Sequence, residues 1–226
     1  MRNKFFAAMA VVLLAGFLFS GCAAFHSDLH NKFAGNPKKN LQANRVNVLF
    51  IFSHYQMTRG LDAIPKLQSG YPVVHGFDDF FRDALNEFTN IKSFATFTEN
   101  SSDVNEPARR KLRDSLMEKN DFTIKIRIQK EKSFAKYFFG IAVNSLSAIV
   151  FPIRYKDNYF VNVDIYDKNQ RLLKTFTRDF SVSKWVETLM VFFYPFYPQQ
   201  KVIEKEYVEF MHDIFREIES DGVLNK

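Results

Sequence analysis

Phe122-Thr123-Ile124-Lys125-Ile126-Arg127-Ile128-Gln129 alternates strictly between apolar and polar side chains. Successive strand residues point to opposite faces, so this segment predicts a half-buried β-strand. Phe122, Ile124, Ile126 and Ile128 face inward, and Thr123, Lys125, Arg127 and Gln129 lie on a wet face. Downstream, Tyr159–Asp167 and Leu172–Phe180 read as two more strands, and the polar turn Asp167-Lys168-Asn169-Gln170 makes them a hairpin. Upstream, Val46–Phe52 is a β-branched and aromatic run expected to form a buried first strand, and Phe94–Phe97 a short second one.

Three segments carry helical spacing. Phe77, Phe80, Phe81, Ala84, Leu85 and Phe88 fall on one face of a helix with Asp78 and Asp79 in its first turn. A second helix begins near Pro107 and presents Ala108, Leu112 and Leu116 on one side. The third runs through Val202, Ile203, Tyr207, Phe210, Met211, Ile214, Phe215 and Ile218 and ends at Gly222. The order β-α-β-α-β-β-β-α predicts an α+β two-layer sandwich, a mainly antiparallel sheet with all its helices on one face.

Composition narrows the function classes. The 226 residues carry 31 Lys+Arg against 25 Asp+Glu, for a net charge of +6. With 46% hydrophobic and 25% charged residues, wholesale disorder is excluded and one domain is expected over residues 45–226. A single cysteine excludes a disulfide framework and a Cys-based zinc site. The five histidines, His26, His30, His54, His75 and His212, offer no ligand spacing apart from His26 and His30, which fall in an expected linker and are read as solvent-exposed. No G-x-S-x-G, H-E-x-x-H or Gly-rich phosphate loop occurs. Ser53, His54 and His75 could meet Asp78 or Asp79 only if their loops converged. The expectation is therefore no catalytic residues, no metal and no cofactor. Arg109, Arg110, Lys111 and Arg113 read as a solvated helix face with Asp114 and Glu118 in pairing range, and Asp164 and Asp167 as turn and wet-face residues.

The N-terminus, MRNKFFAAMAVVLLAGFLFSGC, has a cationic start at Arg2 and Lys4, an uncharged apolar run from Phe5 to Phe19, and small residues leading into Cys22. This is the three-part layout of an export signal over residues 1–21, too short for a stable span. Phe19-Ser20-Gly21-Cys22 resembles a bacterial lipobox, with Phe19 where the pattern usually has Leu. The resemblance implies that Cys22 becomes the first mature residue and carries a thioether-linked diacylglycerol with a further acyl chain such as palmitate. Membrane lipid is then the first partner. It also implies the outer membrane of a diderm envelope, facing the periplasm, because Ala23 replaces the Asp that marks inner-membrane retention. Loss of Arg2 and Lys4 leaves a net charge of +4, too modest for a nucleic-acid binder. Residues 22–44, polar and punctuated by Gly35 and Pro37, are expected to form a flexible tether spanning roughly 25 Å.

With these elements in place, residues 45–180 resemble small envelope lipoprotein domains. The opening strand at Val46–Phe52, the helix from Asp78 to Phe88, then strand, helix and closing hairpin are similar to the element order of the curli-export pore lipoprotein, the penicillin-binding-protein activator lipoproteins and the N-terminal domain of TolB.

Two apolar segments exceed what one core needs in a chain with 27 Phe. Phe134–Ile153 has Lys136 as its one charged residue, and Leu189–Pro198 follows Trp185. Strand and helix both remain open for the first segment, and Pro195 and Pro198 prevent a continuous helix through the second. Three readings stand: domain core, an interfacial patch in the headgroups, or a surface for self-association or a membrane partner. Tyr137, Phe138, Phe139, Ile141, Val143 and Leu146 in the first segment are the candidate surface residues, with Trp185, Phe192, Phe193, Tyr194, Phe196 and Tyr197 in the second. The function expected is a lipid-anchored, non-enzymatic accessory or assembly factor that docks on a membrane complex. A lipid carrier, a small hydrolase, a structural spacer and a pore-like oligomer are the alternatives.

If the acyl group at Cys22 is the anchor, a Cys22→Ser variant moves from the envelope pellet toward the soluble fraction, and an alkaline carbonate wash quantifies what remains.

Overall fold

The computed structural model describes residues 21–36, 38–69, 77–146, 153–187 and 199–225. Residues 1–20 (most of the expected export signal), His75, and the aromatic residues Phe192, Phe193, Tyr194, Phe196 and Tyr197 lie outside the described residues. The fold is α+β. The described strands are β1 (Gly21–His26), β2 (Val46–Arg59), β3 (Lys66–Leu67), β4 (Ile91–Glu99), β5 (Phe122–Ser133), β6 (Ile153–Asp167) and β7 (Leu172–Glu187). The described helices are α1 (Phe77–Leu85), α2 (Pro107–Lys119), α3 (Phe134–Leu146) and α4 (Gln199–Asp221).

The strands form one seven-stranded mixed sheet in the order β1-β7-β6-β5-β2-β3, with β4 also on β2. β2 runs parallel to β4 and β5, while β1–β7, β7–β6, β6–β5 and β2–β3 are antiparallel. In the alternating segment at Phe122, Phe122, Ile124, Ile126 and Ile128 are buried and Arg127 is exposed, but Thr123, expected on the wet face, is buried beside Leu49 on the face that α2 covers. The β6–β7 hairpin closes with Gln170 at a φ of 59° and its N–H on the Asp167 carbonyl. Gly222, at a φ of +64°, ends α4.

The helices do not share one face. α1 and α4 cover Val48, Phe50 and Phe52, with Phe50 5.1 Å from Phe81 and Phe215 5.0 Å from Phe88 between ring centroids. α2 lies on the opposite face, where Leu116 and Met117 cover Leu49, Ile51 and Phe97. The handedness of crossovers explains the split. The chain passes from β2 to β4 through α1, then back across β2 to β5 through α2. Two right-handed connections running in opposite directions must use opposite faces. Leu112, expected to point inward, is exposed.

The expected tether is also different. Its first residues form β1, which pairs with Glu187–Val182 of β7, and Ala24 and Leu29 are buried. Further along, the Phe33 N–H donates to Asp213 and the Lys38 N–H to Ser220 Oγ, both on α4. A strand edge offers backbone partners that a polar linker accepts regardless of its side chains, which is why composition suggested a free coil.

The core is dominated by aromatic packing on Phe215, which is fully buried between Phe50, Phe81 and Phe88. Phe215→Ala is expected to cost about 3–5 kcal/mol of stability, read from urea unfolding at constant m-value.

Candidate functional site

Strand register brings five chain ends together. Arg59 of β2 pairs with Ser133 of β5, Lys132 with Asp157 of β6, Ile153 with Val186 of β7, and Cys22 of β1 with the same Val186. The last residues of β2, β5 and β7 and the first residues of β1 and β6 therefore form one end of the sheet. α3 starts there, directly after Ser133.

α3 is held by a narrow strip. The Tyr137 hydroxyl donates to Asp157 Oδ1 at 2.6 Å, and the Tyr137 and Tyr155 ring centroids are 4.8 Å apart. Gly140 rests on the Tyr155 ring so closely that an added Cβ would lie 2.6 Å from Cε1. Asp157 is completely buried, and its Oδ2 meets Lys130 Nζ at 3.0 Å and Lys184 Nζ at 2.9 Å. Burial opposes its ionisation, but Lys130, Lys184 and the Tyr137 hydroxyl outweigh that and hold the carboxyl below the usual range. Burial and the Asp157 charge push the Tyr137 phenol upward, so it remains a donor. The carboxylate thus fastens three elements, α3, β5 and β7, to β6.

Beyond that strip α3 presents exposed apolar side chains. Phe134, Phe138, Phe139, Ile141 and Val143 are all exposed, Phe139 at 66%. Tyr137, grouped with them in the sequence, turns inward to Asp157, and Leu146 is the last residue of α3. Trp185 lies half-buried on β7 opposite Ala23, with the Arg154 guanidinium 5.9 Å from its ring centroid. The β2–β3 turn adds Leu61 and Ile64, also exposed. That turn adjoins α3, since a Cβ on Gly60 would lie 3.8 Å from Phe134 Cβ. Sequence reasoning missed Leu61 and Ile64 because they sit in a loop punctuated by Gly60 and Pro65. It missed Asp157 because a lone carboxylate in a strand carries no local pattern.

No helix among the described residues is long and apolar enough to cross a membrane. α3 has 13 residues, about 20 Å of helix against a hydrocarbon core of about 30 Å.

The other singled-out residues serve the scaffold. Ser53 and His54 are consecutive in β2 and so point to opposite faces. His54 is buried, with Nε2 3.1 Å from Tyr207 Oη of α4. Its geometry offers Ser53 no base. His26 is half-buried rather than exposed, with Nδ1 2.5 Å from the buried Glu206. Burial pushes that carboxyl up, countered by the His26 imidazole. His30 is exposed and bridges Asp179 through the backbone. Arg109 reaches Asp103 and the Thr98 carbonyl, and Arg113 reaches Glu99 and Asp114, so these cations brace α2 on β4. Asp164 accepts from Arg127 and Thr175 on the wet face, and Asp167 caps the hairpin turn. Among the described residues no group of three or more His, Cys, Asp or Glu side chains could hold a metal ion.

No family model and no curated protein matches the chain. Among solved structures it is similar to a PelC dodecamer from Paraburkholderia phytofirmans, at 7% identity and a TM-score of 0.30 over 87% of this chain and 98% of that one. A Met-for-Leu variant of the same dodecamer aligns equally loosely, over 99% of its chain. Superpositions this loose carry no argument about this chain.

Burial pushes the His54 imidazole down to about 4 from a model-peptide value of 6.5. The unfolded chain therefore binds this proton first on acidification. The stability tied to neutral His54 is complete above about pH 6.5 and is lost as pH falls toward about 4, by about 3 kcal/mol. His54→Gln keeps a partner for Tyr207 and should flatten that part of the pH–stability curve, measured by chemical denaturation.

Proposed function

We propose that this protein is a lipid-anchored envelope protein that acts by binding, as an accessory or assembly factor at the surface of a membrane complex. In a diderm cell it is held on the outer membrane and faces the periplasm. The observation that carries this reading is a coincidence of place: Cys22, the residue with lipobox context, lies at the sheet end where exposed apolar side chains are concentrated. An acyl group there would put that surface at the bilayer, where the partner complex is found. The protein has no enzymatic activity in this reading. The wet sheet face is a rack of paired polar groups, and the singled-out histidines serve packing and edge pairing.

The rival reading as a hydrophobic-ligand carrier needs an open apolar interior. The Phe-rich core is packed ring on ring instead, with Phe77, Phe81, Phe50, Phe215 and Phe88 in one continuous chain of aromatic contacts. A pore-like oligomer would have to build its span from segments other than α3.

In-cell photo-crosslinking from Phe160, exposed on the wet sheet face, and from Lys156 near the apolar end should yield a discrete adduct with an envelope protein. The adduct should weaken when Cys22→Ser removes the anchor. Absence of adducts from both positions, together with an acyl ligand retained non-covalently in native mass spectra, would transfer the function to the carrier class.

A further inference from the structure

We infer that the apolar end of the sheet is a bilayer-docking platform for an anionic lipid surface: α3 and the β2–β3 turn lie in the headgroup layer, and the strands stand away from the membrane. The inference deepens the proposed function and rests on it only for the contribution of Cys22.

Three observations on different parts of the chain agree. The first is the distribution of exposed apolar surface. Of the 14 exposed large hydrophobics among the described residues, Leu61, Ile64, Phe134, Phe138, Phe139, Ile141 and Val143 lie at this one end. Soluble surfaces rarely keep so much apolar area together, and α3 is too short to span, so lying in the interface is the arrangement that buries it.

The second is charge. Lys136 lies on α3 and Lys132 beside it, and Arg154 and Lys156, which alternate with Tyr155 and Asp157, lie on the opposite face of the sheet near the same end. The acidic side chains described beside them are already neutralised: Asp62 by Lys66, Glu131 by Arg59, and Asp157 by Lys130 and Lys184. A sheet end with an apolar patch and basic, long-stemmed residues on both of its faces is complementary to acyl chains below an anionic headgroup layer. It is a poor match for an apolar protein partner, which would have to bury those cations.

The third is the anchor. Cys22 is the second residue of β1 and is paired directly with Val186, so almost no chain separates a lipid on Cys22 from the folded sheet. Acylation at that point holds this end at the membrane rather than leaving the domain on a long tether. Trp185, next along β7, and Tyr137 and Tyr155 beneath α3 add the residue types that favour the interface.

Depth-dependent fluorescence quenching of the full acylated chain tests the platform. The protein is reconstituted in vesicles of phosphatidylcholine and phosphatidylglycerol, with or without bromine on the acyl chains. The chain has one tryptophan, Trp185, so Trp185→Phe combined with Phe139→Trp reports on α3. Trp185→Phe combined with Leu172→Trp reports on the far hairpin end, roughly 45 Å away along β7 at about 3.3 Å per residue. Both introduced positions are exposed, and the native Trp185 supplies a reporter at the platform that needs no substitution. The expected result is that tryptophan at 139 loses about half of its emission to brominated lipid while tryptophan at 172 loses almost none, with less quenching when phosphatidylglycerol is omitted. Equal quenching at the two positions overturns the platform. So does tryptophan at 139 that brominated lipid does not reach, whether aqueous iodide reaches it or a second protein copy shields it. Intact-mass measurement of the N-terminal peptide reads acylation separately. A chain that lacks the acyl mass but is quenched at 139 overturns the anchor and leaves the platform standing.

Discussion

β2 is apolar on both faces because it is covered on both faces, and the rest of the molecule is arranged around that constraint. Val48, Phe50 and Phe52 meet α1 and α4, while Leu49 and Ile51 meet α2. Parallel partners on both edges, β4 and β5, take up its backbone hydrogen bonds. Two parallel neighbours require two crossovers, and their common handedness assigns one helix to each face. From β5 onward the sheet is antiparallel, and α4 covers only the inner face. The other face can then be polar, carrying Arg127 bonded to Asp164 and Lys125 over the Tyr166 ring.

The same constraint explains how far the fold was legible in the sequence. Phe122–Gln129 alternates because its strand has one wet face, and that period needs no tertiary knowledge to read. Val46–Phe52 reads as continuously apolar, which identifies a buried strand but says nothing about which helix covers which side. The placement of α2 opposite α1 and α4 follows from topology, and its sparse apolar side, with Leu112 exposed, gave no competing signal. β3 is two residues long and β1 consists of Gly21-Cys22-Ala23-Ala24-Phe25-His26, so neither carries strand periodicity. Both exist because a sheet edge supplies their partners.

At the apolar end, residue types were legible and the assembly was not. The sequence marks Phe138, Phe139, Ile141 and Val143 as surplus apolar surface, and these are exposed. Tyr137 belongs to the same run but faces Asp157, because a buried carboxylate between two lysines has one more acceptor position to fill. Removing one partner of such a cluster strands charge in the interior, so Asp157 governs how firmly α3 is seated more than the apolar contacts beneath it do. The strip of α3 that touches the sheet is narrow, centred on Tyr137 and Gly140. Its wider apolar side carries the exposed Phe134, Phe138, Phe139 and Val143.

If Cys22 carries an acyl anchor, the way the domain meets a membrane depends on the number of residues between anchor and fold. A coil through residue 44 would let the domain tumble, and any apolar patch would find lipid only by chance encounter at a low effective concentration. With Cys22 paired to Val186 at the start of the β1–β7 ladder, an acyl group on Cys22 would leave only the freedom of the acyl linkage itself. Docking of α3 on lipid would then be an intramolecular step that a weakly binding helix can complete. β7 runs between Glu187 at the apolar end and Leu172 at the hairpin, so lipid contact at the first would leave the polar sheet face and the hairpin tip on the aqueous side. In the proposed arrangement, an anchor on Cys22 and a docked α3 would act on one sheet and together select an orientation that neither would impose alone.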